Sequence, residues 1–216
     1  MIPVIAFVGN SGSGKTTLME NVIRELVAAG VRVAAVKHHL KELDVDREGK
    51  DSWRHKRAGA CAVAVVTPAG VAAIRSENGE PDLNEVVERY LHDADVVLAE
   101  GYKTGIVPSI VVARKGVAEI DLSEVKKPVA VVADHDPGSG ELPSFSFEDH
   151  AALAKFIKEN YVDENPTRRV NVFVDGKVVP MKFFVRDLID RVVRALVGSL
   201  RGTEGAGKIN IYIDGR

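Results

Sequence analysis

Cysteine occurs once in the 216 residues, at position 61, so no intrachain disulfide can brace the fold. The strand-like run that follows, Ala62 to Val66, makes Cys61 by expectation a buried and inert thiol. Neither sign of charge dominates: 29 Lys and Arg stand against 31 Asp and Glu, a formal net charge of −2, with a sequence pI near 6.3. That balance gives no electrostatic reason to expect nucleic acid or a membrane surface as the principal partner. No apolar span is long enough to cross a bilayer, and no charged leader with a cleavage site precedes the first strand. A cytoplasmic protein is the expectation. Internal repeats and low-complexity tracts are missing as well. There is no Cys-x-x-Cys pair and no spaced histidine cluster, which argues against a metal-inserting GTPase using His38, His39 or Cys61. His38 and His39 are adjacent on a strand, where side chains point to opposite faces, so they make a poor chelating pair.

What the chain does have is a strand-like run, Pro3 to Val8, breaking into Gly9-Asn10-Ser11-Gly12-Ser13-Gly14-Lys15-Thr16-Thr17. This is a complete G-x-x-x-x-G-K-[ST] phosphate-binding loop. Its glycines let successive backbone N–H groups converge on a β-phosphate without Cβ atoms in the way. Lys15 would reach the β/γ oxygens, and the Thr16 hydroxyl would bind Mg²⁺. Leu18, Val22, Ile23, Leu26 and Val27 recur with helical spacing immediately afterwards, and Gly30 closes that helix. The phosphate therefore sits at a helix N-terminus, where the dipole favours negative charge.

Further strands are expected at Val31 to Val36, Ala62 to Val66, Val71 to Ile74, Asp95 to Ala99, Ser109 to Ala113 and Val129 to Ala133. Helices are expected at Ser52 to Ala58, Leu83 to Leu91 and Phe147 to Tyr161. Strands alternating with helices imply an α/β P-loop NTPase fold, a mostly parallel sheet covered by helices on both faces. A charged stretch with Pro166 separates this domain, residues 1–162, from a small C-terminal unit, residues 170–216, through a linker at 163–169. That unit reads as ββαβ: a hairpin around Asp175-Gly176, an apolar helical stripe from Val185 to Leu200, and a closing strand with Ile209, Ile211 and Ile213. Alone it would be marginal, so its apolar face is expected to dock on the main domain or a second subunit.

Glu100 is the strongest candidate beyond the loop. A carboxylate at the carboxyl end of an apolar strand can hold Mg²⁺, completing the oxygen shell that Thr16 and the phosphates begin. Asp44 and Asp46 compete for a further metal or water-positioning role, with Asp46 carried forward as the metal and catalytic candidate beside Lys15 and Glu100. Lys37, His38 and Lys103, with the cluster Arg54-His55-Lys56-Arg57, offer contacts for phosphate or an acidic small molecule. Asp134, directly after a buried strand, is placed to accept from guanine N1–H and the exocyclic amine, with Asp136 as fallback. No Asn/Thr-Lys-x-Asp signature accompanies it, so residue chemistry alone leaves GTP and ATP both open. A small-molecule kinase with Asp46 as base is the second reading, but no lid with arginines reaching the transferred phosphoryl group is evident.

Taken together, the loop Val8 to Thr17, Lys37-His38 leading to Leu43-Asp44-Val45-Asp46, Gly49-Lys50-Asp51-Ser52, and Lys56-Arg57-Ala58-Gly59-Ala60 resemble the MobB family of molybdopterin-guanine dinucleotide biosynthesis proteins. Leu98-Ala99-Glu100-Gly101-Tyr102-Lys103 is similar to that family's Val-Glu-Gly-Phe-Lys segment. These blocks run in order over roughly the first two-thirds of the chain. Leu40, Lys41 and Thr104 stand where family members often carry further histidines. The resemblance implies a homodimeric GTP-binding adapter for a MobA-type molybdopterin guanylyltransferase, with slow GTP hydrolysis. It leaves open whether molybdopterin itself binds. Slow hydrolysis fits a chain in which no glutamine or arginine finger is evident to orient water or neutralise transition-state charge.

Overall fold

The computed structural model describes residues 2–38, 48–77, 79–102, 105–117, 122–136, 140–163, 170, 172–174, 177–179, 181–203, 205, 207, 209 and 211. The chain opens with β1 (Val4–Val8), α1 (Lys15–Ala28), β2 (Val33–Lys37) and α2 (Asp51–Arg57). Next come β3 (Ala62–Thr67), β4 (Gly70–Arg75), α3 (Leu83–Tyr90), β5 (Val96–Glu100), β6 (Ser109–Ala113) and β7 (Pro128–Ala133). It closes with β8 (Ser144–Phe145), α4 (His150–Ile157), β9 (Phe173–Val174), β10 (Lys177–Val178) and α5 (Phe183–Gly198).

Six of these strands form a parallel sheet in the order β2-β5-β1-β6-β7-β8, with β1 near its centre. All five residues of β1 are buried, as a strand covered on both faces requires. Its residues alternate between two cores. Ile5 and Phe7 pack with Leu18, Val22 and Leu26 of α1 and with Leu153 and Ile157 of α4. Val4, Ala6 and Val8 join Leu83 and Val87 of α3 on the other face. Each fully buried aliphatic side chain there is worth about 1.5–3 kcal/mol relative to exposure. The parallel α/β architecture expected from the sequence is therefore the one observed.

Burial and element boundaries differ from expectation at several places. The two short strands expected at Ala62 to Val66 and Val71 to Ile74 are β3 and β4, which among the described residues pair with each other as an antiparallel hairpin. Most of their residues are exposed, Val66 and Val71 among them, and Cys61 at their base is an exposed free thiol rather than a buried one. Adjacent apolar strands joined by a short turn can satisfy their backbone locally, so apolar content alone does not place them in the core. The last helix of the main domain starts at His150 rather than Phe147, and it runs into a π-helical turn, Lys158–Val162, that carries it to the end of the domain. Strand β8 escaped notice because two residues carry no periodicity.

In the C-terminal segment β9 and β10 pair antiparallel, and β10 lies beside α3. The turn at Asp175-Gly176 lies outside the described residues, as does Ile213. Ile209 and Ile211, expected in a closing strand, are in no strand. On α5, Asp190 is buried and accepts from Arg194 Nε at 2.8 Å, while Phe184, Leu188, Val192 and Leu196 form an exposed apolar row that Leu200 continues just past the helix end.

Candidate nucleotide-binding site

The phosphate loop joins the end of β1 to the start of α1. At Gly9 a Cβ would stand 2.6 Å from both the Ser13 hydroxyl and the Val112 carbonyl of β6, so only hydrogen fits. Gly14 caps α1 with φ 88°, a left-handed conformation, and no side chain caps the helix or places an acid in its first turn. The positive end of α1 is left facing the loop. Lys15 Nζ donates to the Asn10 carbonyl at 2.8 Å, folding over the loop. The Ser13 hydroxyl is buried and has no hydrogen-bond partner among the described residues. Ser11, Gly12, Thr16 and Thr17 are exposed around it. A buried orphan hydroxyl at an uncapped helix N-terminus suits an anion with several acceptor oxygens.

The sheet register supplies the second half of the site. Glu100, the last residue of β5, is aligned with Phe7 of β1 on one side and Lys37 of β2 on the other. Its carboxylate, only 13% exposed, accepts from the Thr16 hydroxyl through both oxygens, at 3.0 and 3.1 Å. Lys37 Nζ lies 3.4 Å from Glu100 Oε1. A hydroxyl and a carboxylate are the oxygen donors a hard cation takes, and cis ligands on an octahedral Mg²⁺ at about 2.05 Å are themselves about 2.9 Å apart. Thr16 and Glu100 are the residues that would hold it. No group of three or more His, Cys, Asp or Glu gathers as a metal site among the described residues.

Beyond Glu100 the chain makes a strained turn. Tyr102 has φ 59°, a left-handed conformation that costs a side-chain-bearing residue energy and gathers at functional sites. Its ring lies 4.6 Å from that of His38, centroid to centroid, and His38 Nε2 is 2.7 Å from Glu80 Oε1. Burial first, then the charges of Glu80 and Asp82, push the Tyr102 phenol above its usual range. Sequence reasoning missed the Glu80 contact, because a loop acid 42 residues from His38 carries no periodic or motif signal.

Asp134 stands just past β7, two strands along from β1. Its Oδ1 accepts from the Lys115 backbone N–H at 2.7 Å and lies 3.0 Å from His135 Nδ1. The His135 hydrogen bond first, then the Lys115 N–H, hold the carboxyl below the usual carboxylate range. Arg114, the residue before Lys115, was also missed, although a cation at the carboxyl end of a parallel strand is a recognisable signal. The structure thus brings Thr16, Glu100 and Lys37 together, folds Lys15 over the loop, sets His38 beside Tyr102, and places Asp134 just past β7, two strands along from β1. Helix α2 with Arg54 to Arg57 buries no residue, and Arg57 lies over Trp53 at 5.2 Å. Asp44, Asp46, His39 and Lys103 lie outside the described residues.

A parallel sheet whose central strand feeds a glycine loop and an uncapped helix, with a strand-end acid beside the loop threonine, defines a P-loop NTPase-like α/β fold. Residues 4–134 match the family described as MobB, molybdopterin guanine dinucleotide synthesis protein B, and the chain belongs to that family. A Haemophilus influenzae protein named molybdopterin-guanine dinucleotide biosynthesis adapter protein is 38% identical over 138 residues, 63% of this chain and 76% of the relative. An Escherichia coli protein of the same name is 32% identical over 163 residues, 74% of this chain and 93% of the relative. A crystal structure of molybdopterin-guanine biosynthesis protein B superposes with a TM-score of 0.58 at 34% identity, covering 72% of this chain and 97% of that one.

Proposed function

We propose that the protein is an adapter in molybdopterin-guanine dinucleotide biosynthesis that binds Mg-GTP at the Gly9 to Thr17 loop and hydrolyses it slowly. The adapter role rests on family membership and on the relatives named for it. The nucleotide reading is carried by one observation, the Thr16 hydroxyl and Glu100 carboxylate meeting beside an uncapped helix N-terminus. Thr16 and Glu100 would hold Mg²⁺, which supplies charge neutralisation across the phosphates. Lys15 would leave the Asn10 carbonyl for the phosphate oxygens, and Asp134 would read guanine. Lys37 and His38 would meet the acidic acceptor, molybdopterin, delivered by a MobA-type guanylyltransferase. Slow turnover follows from a chain with no glutamine to orient water. A homodimer belongs to this reading, supported by the exposed Val65, Val66 and Val71 on the β3–β4 hairpin.

The test is reconstitution: purified guanylyltransferase, molybdopterin and Mg-GTP, with and without this protein. Added protein is expected to raise the yield of the guanine dinucleotide, and Lys15→Ala to remove that gain. Equal yields with and without wild-type protein contradict the adapter role.

A further inference from the structure

We propose that Arg114, held flat by Phe147, is the platform on which the base of the bound nucleotide stacks; this rests on the reading that the loop holds a nucleotide. The direction of the phosphate chain is set by the sheet order β2-β5-β1-β6-β7. Glu100 and Lys37, on β5 and β2, gather at Thr16 on one side of β1, which puts the metal and the terminal phosphate there. The nucleoside then leaves on the opposite side, over the ends of β6 and β7.

Arg114 is the first residue after β6. Its Nη2 lies 3.3 Å from where a Gly14 Cβ would stand, so the guanidinium rests against the end of the loop. The guanidinium carbon is 4.4 Å from the centroid of the Phe147 ring, a stacking distance. Arg114 is exposed and forms no ion pair among the described residues. The aromatic backing fixes the plane of the guanidinium, a constraint that a point-charge contact with phosphate does not require. A planar, weakly hydrated guanidinium with one face on a ring presents its other face to a flat π ligand. The carboxylate that would read the base edge is adjacent, because Asp134 Oδ1 is tied to the backbone of Lys115, the next residue.

Stacking tolerates any base, since every base has a π face. Arg114 therefore supports guanine and adenine alike, and the choice between them falls to the edge contacts.

The experiment titrates Mg-GTP, Mg-ATP and magnesium tripolyphosphate onto the full-length wild type, Arg114→Ala, Arg114→Lys and Arg114→Trp by calorimetry. Arg114→Ala is expected to weaken both nucleotides about 5- to 100-fold and to leave tripolyphosphate unchanged. Arg114→Lys should lose nearly as much, since it keeps the charge without the plane, and Arg114→Trp should recover most of the loss. Equal losses for tripolyphosphate and nucleotide, rescued by lysine, make Arg114 a phosphate ligand and overturn the platform. Unchanged nucleotide affinity in Arg114→Ala overturns it as well while leaving the nucleotide site standing. A wild type that binds neither nucleotide nor tripolyphosphate overturns the nucleotide site, and the platform with it.

Discussion

The Thr16 hydroxyl donates to both oxygens of Glu100, at 3.0 and 3.1 Å, across 84 residues of chain. One group opens helix α1 and the other ends strand β5, so the contact exists only because β1 and β5 are paired in register. It places a neutral and an anionic oxygen at one point, with Lys37 Nζ 3.4 Å from the acid.

Glu100→Gln keeps the shape and the hydrogen bond but removes the anionic ligand. It is expected to abolish most of the gain in GTP affinity that Mg²⁺ confers, roughly a 10- to 100-fold loss, with metal-free binding little changed. Calorimetry with and without Mg²⁺ decides, and equal losses in both conditions reject the metal role.

Gly9→Ala forces a methyl to within 2.6 Å of the Val112 carbonyl, which is backbone and cannot swing aside. Overpacking of this kind costs about 1–3 kcal/mol. Thermal denaturation should show a lower Tm for the variant together with weakened nucleotide binding. A variant that melts with the wild type would mean that the loop has slack at β6.

Asp134 gives a pH signature. Its carboxyl is held below the usual range chiefly by His135, then by the Lys115 N–H. A depressed carboxyl stabilises the fold above its unfolded pKa and loses that contribution as pH falls through the folded value, so the effect is full at neutral pH and disappears in acid. His135→Ala should raise the Asp134 pKa and move the loss to higher pH, read by carbon-detected NMR titration of the carboxyl. A titration curve identical to wild type contradicts the assignment.

The hairpin gives an assembly test. Val66 is 73% exposed and Val71 68% exposed, and the two face each other across β3 and β4. In a homodimer built on this hairpin, Val66→Glu with Val71→Glu should shift the protein to monomer in light scattering without lowering secondary structure content. A wild type already monomeric at micromolar concentration contradicts the dimer.

Much of this was legible in the sequence because its signals are local. The loop fixes a glycine turn between a strand and a helix, and the apolar runs of β1, β5, β6 and β7 name a sheet buried on both faces. Glu100 stood out as an acid ending such a run. Cys61 was expected to be buried because β3 has the same aliphatic composition as a core strand, and only tertiary pairing separates the two. The His38–Glu80 contact, the strained Tyr102 and the Arg114–Phe147 stack join residues far apart in the chain or depend on backbone conformation, and no spacing rule reaches them.

The most direct test of the central claim is calorimetric titration of Mg-GTP onto wild type, Lys15→Ala and Thr16→Ala, each first shown to be folded by circular dichroism. Lys15 now spends its ammonium on the Asn10 carbonyl at 2.8 Å, a contact that phosphate oxygens would replace. Saturable, Mg²⁺-dependent binding to the wild type, reduced at least about 10-fold in both variants, is the expected result. Wild-type and variant proteins that bind Mg-GTP with the same affinity would contradict it.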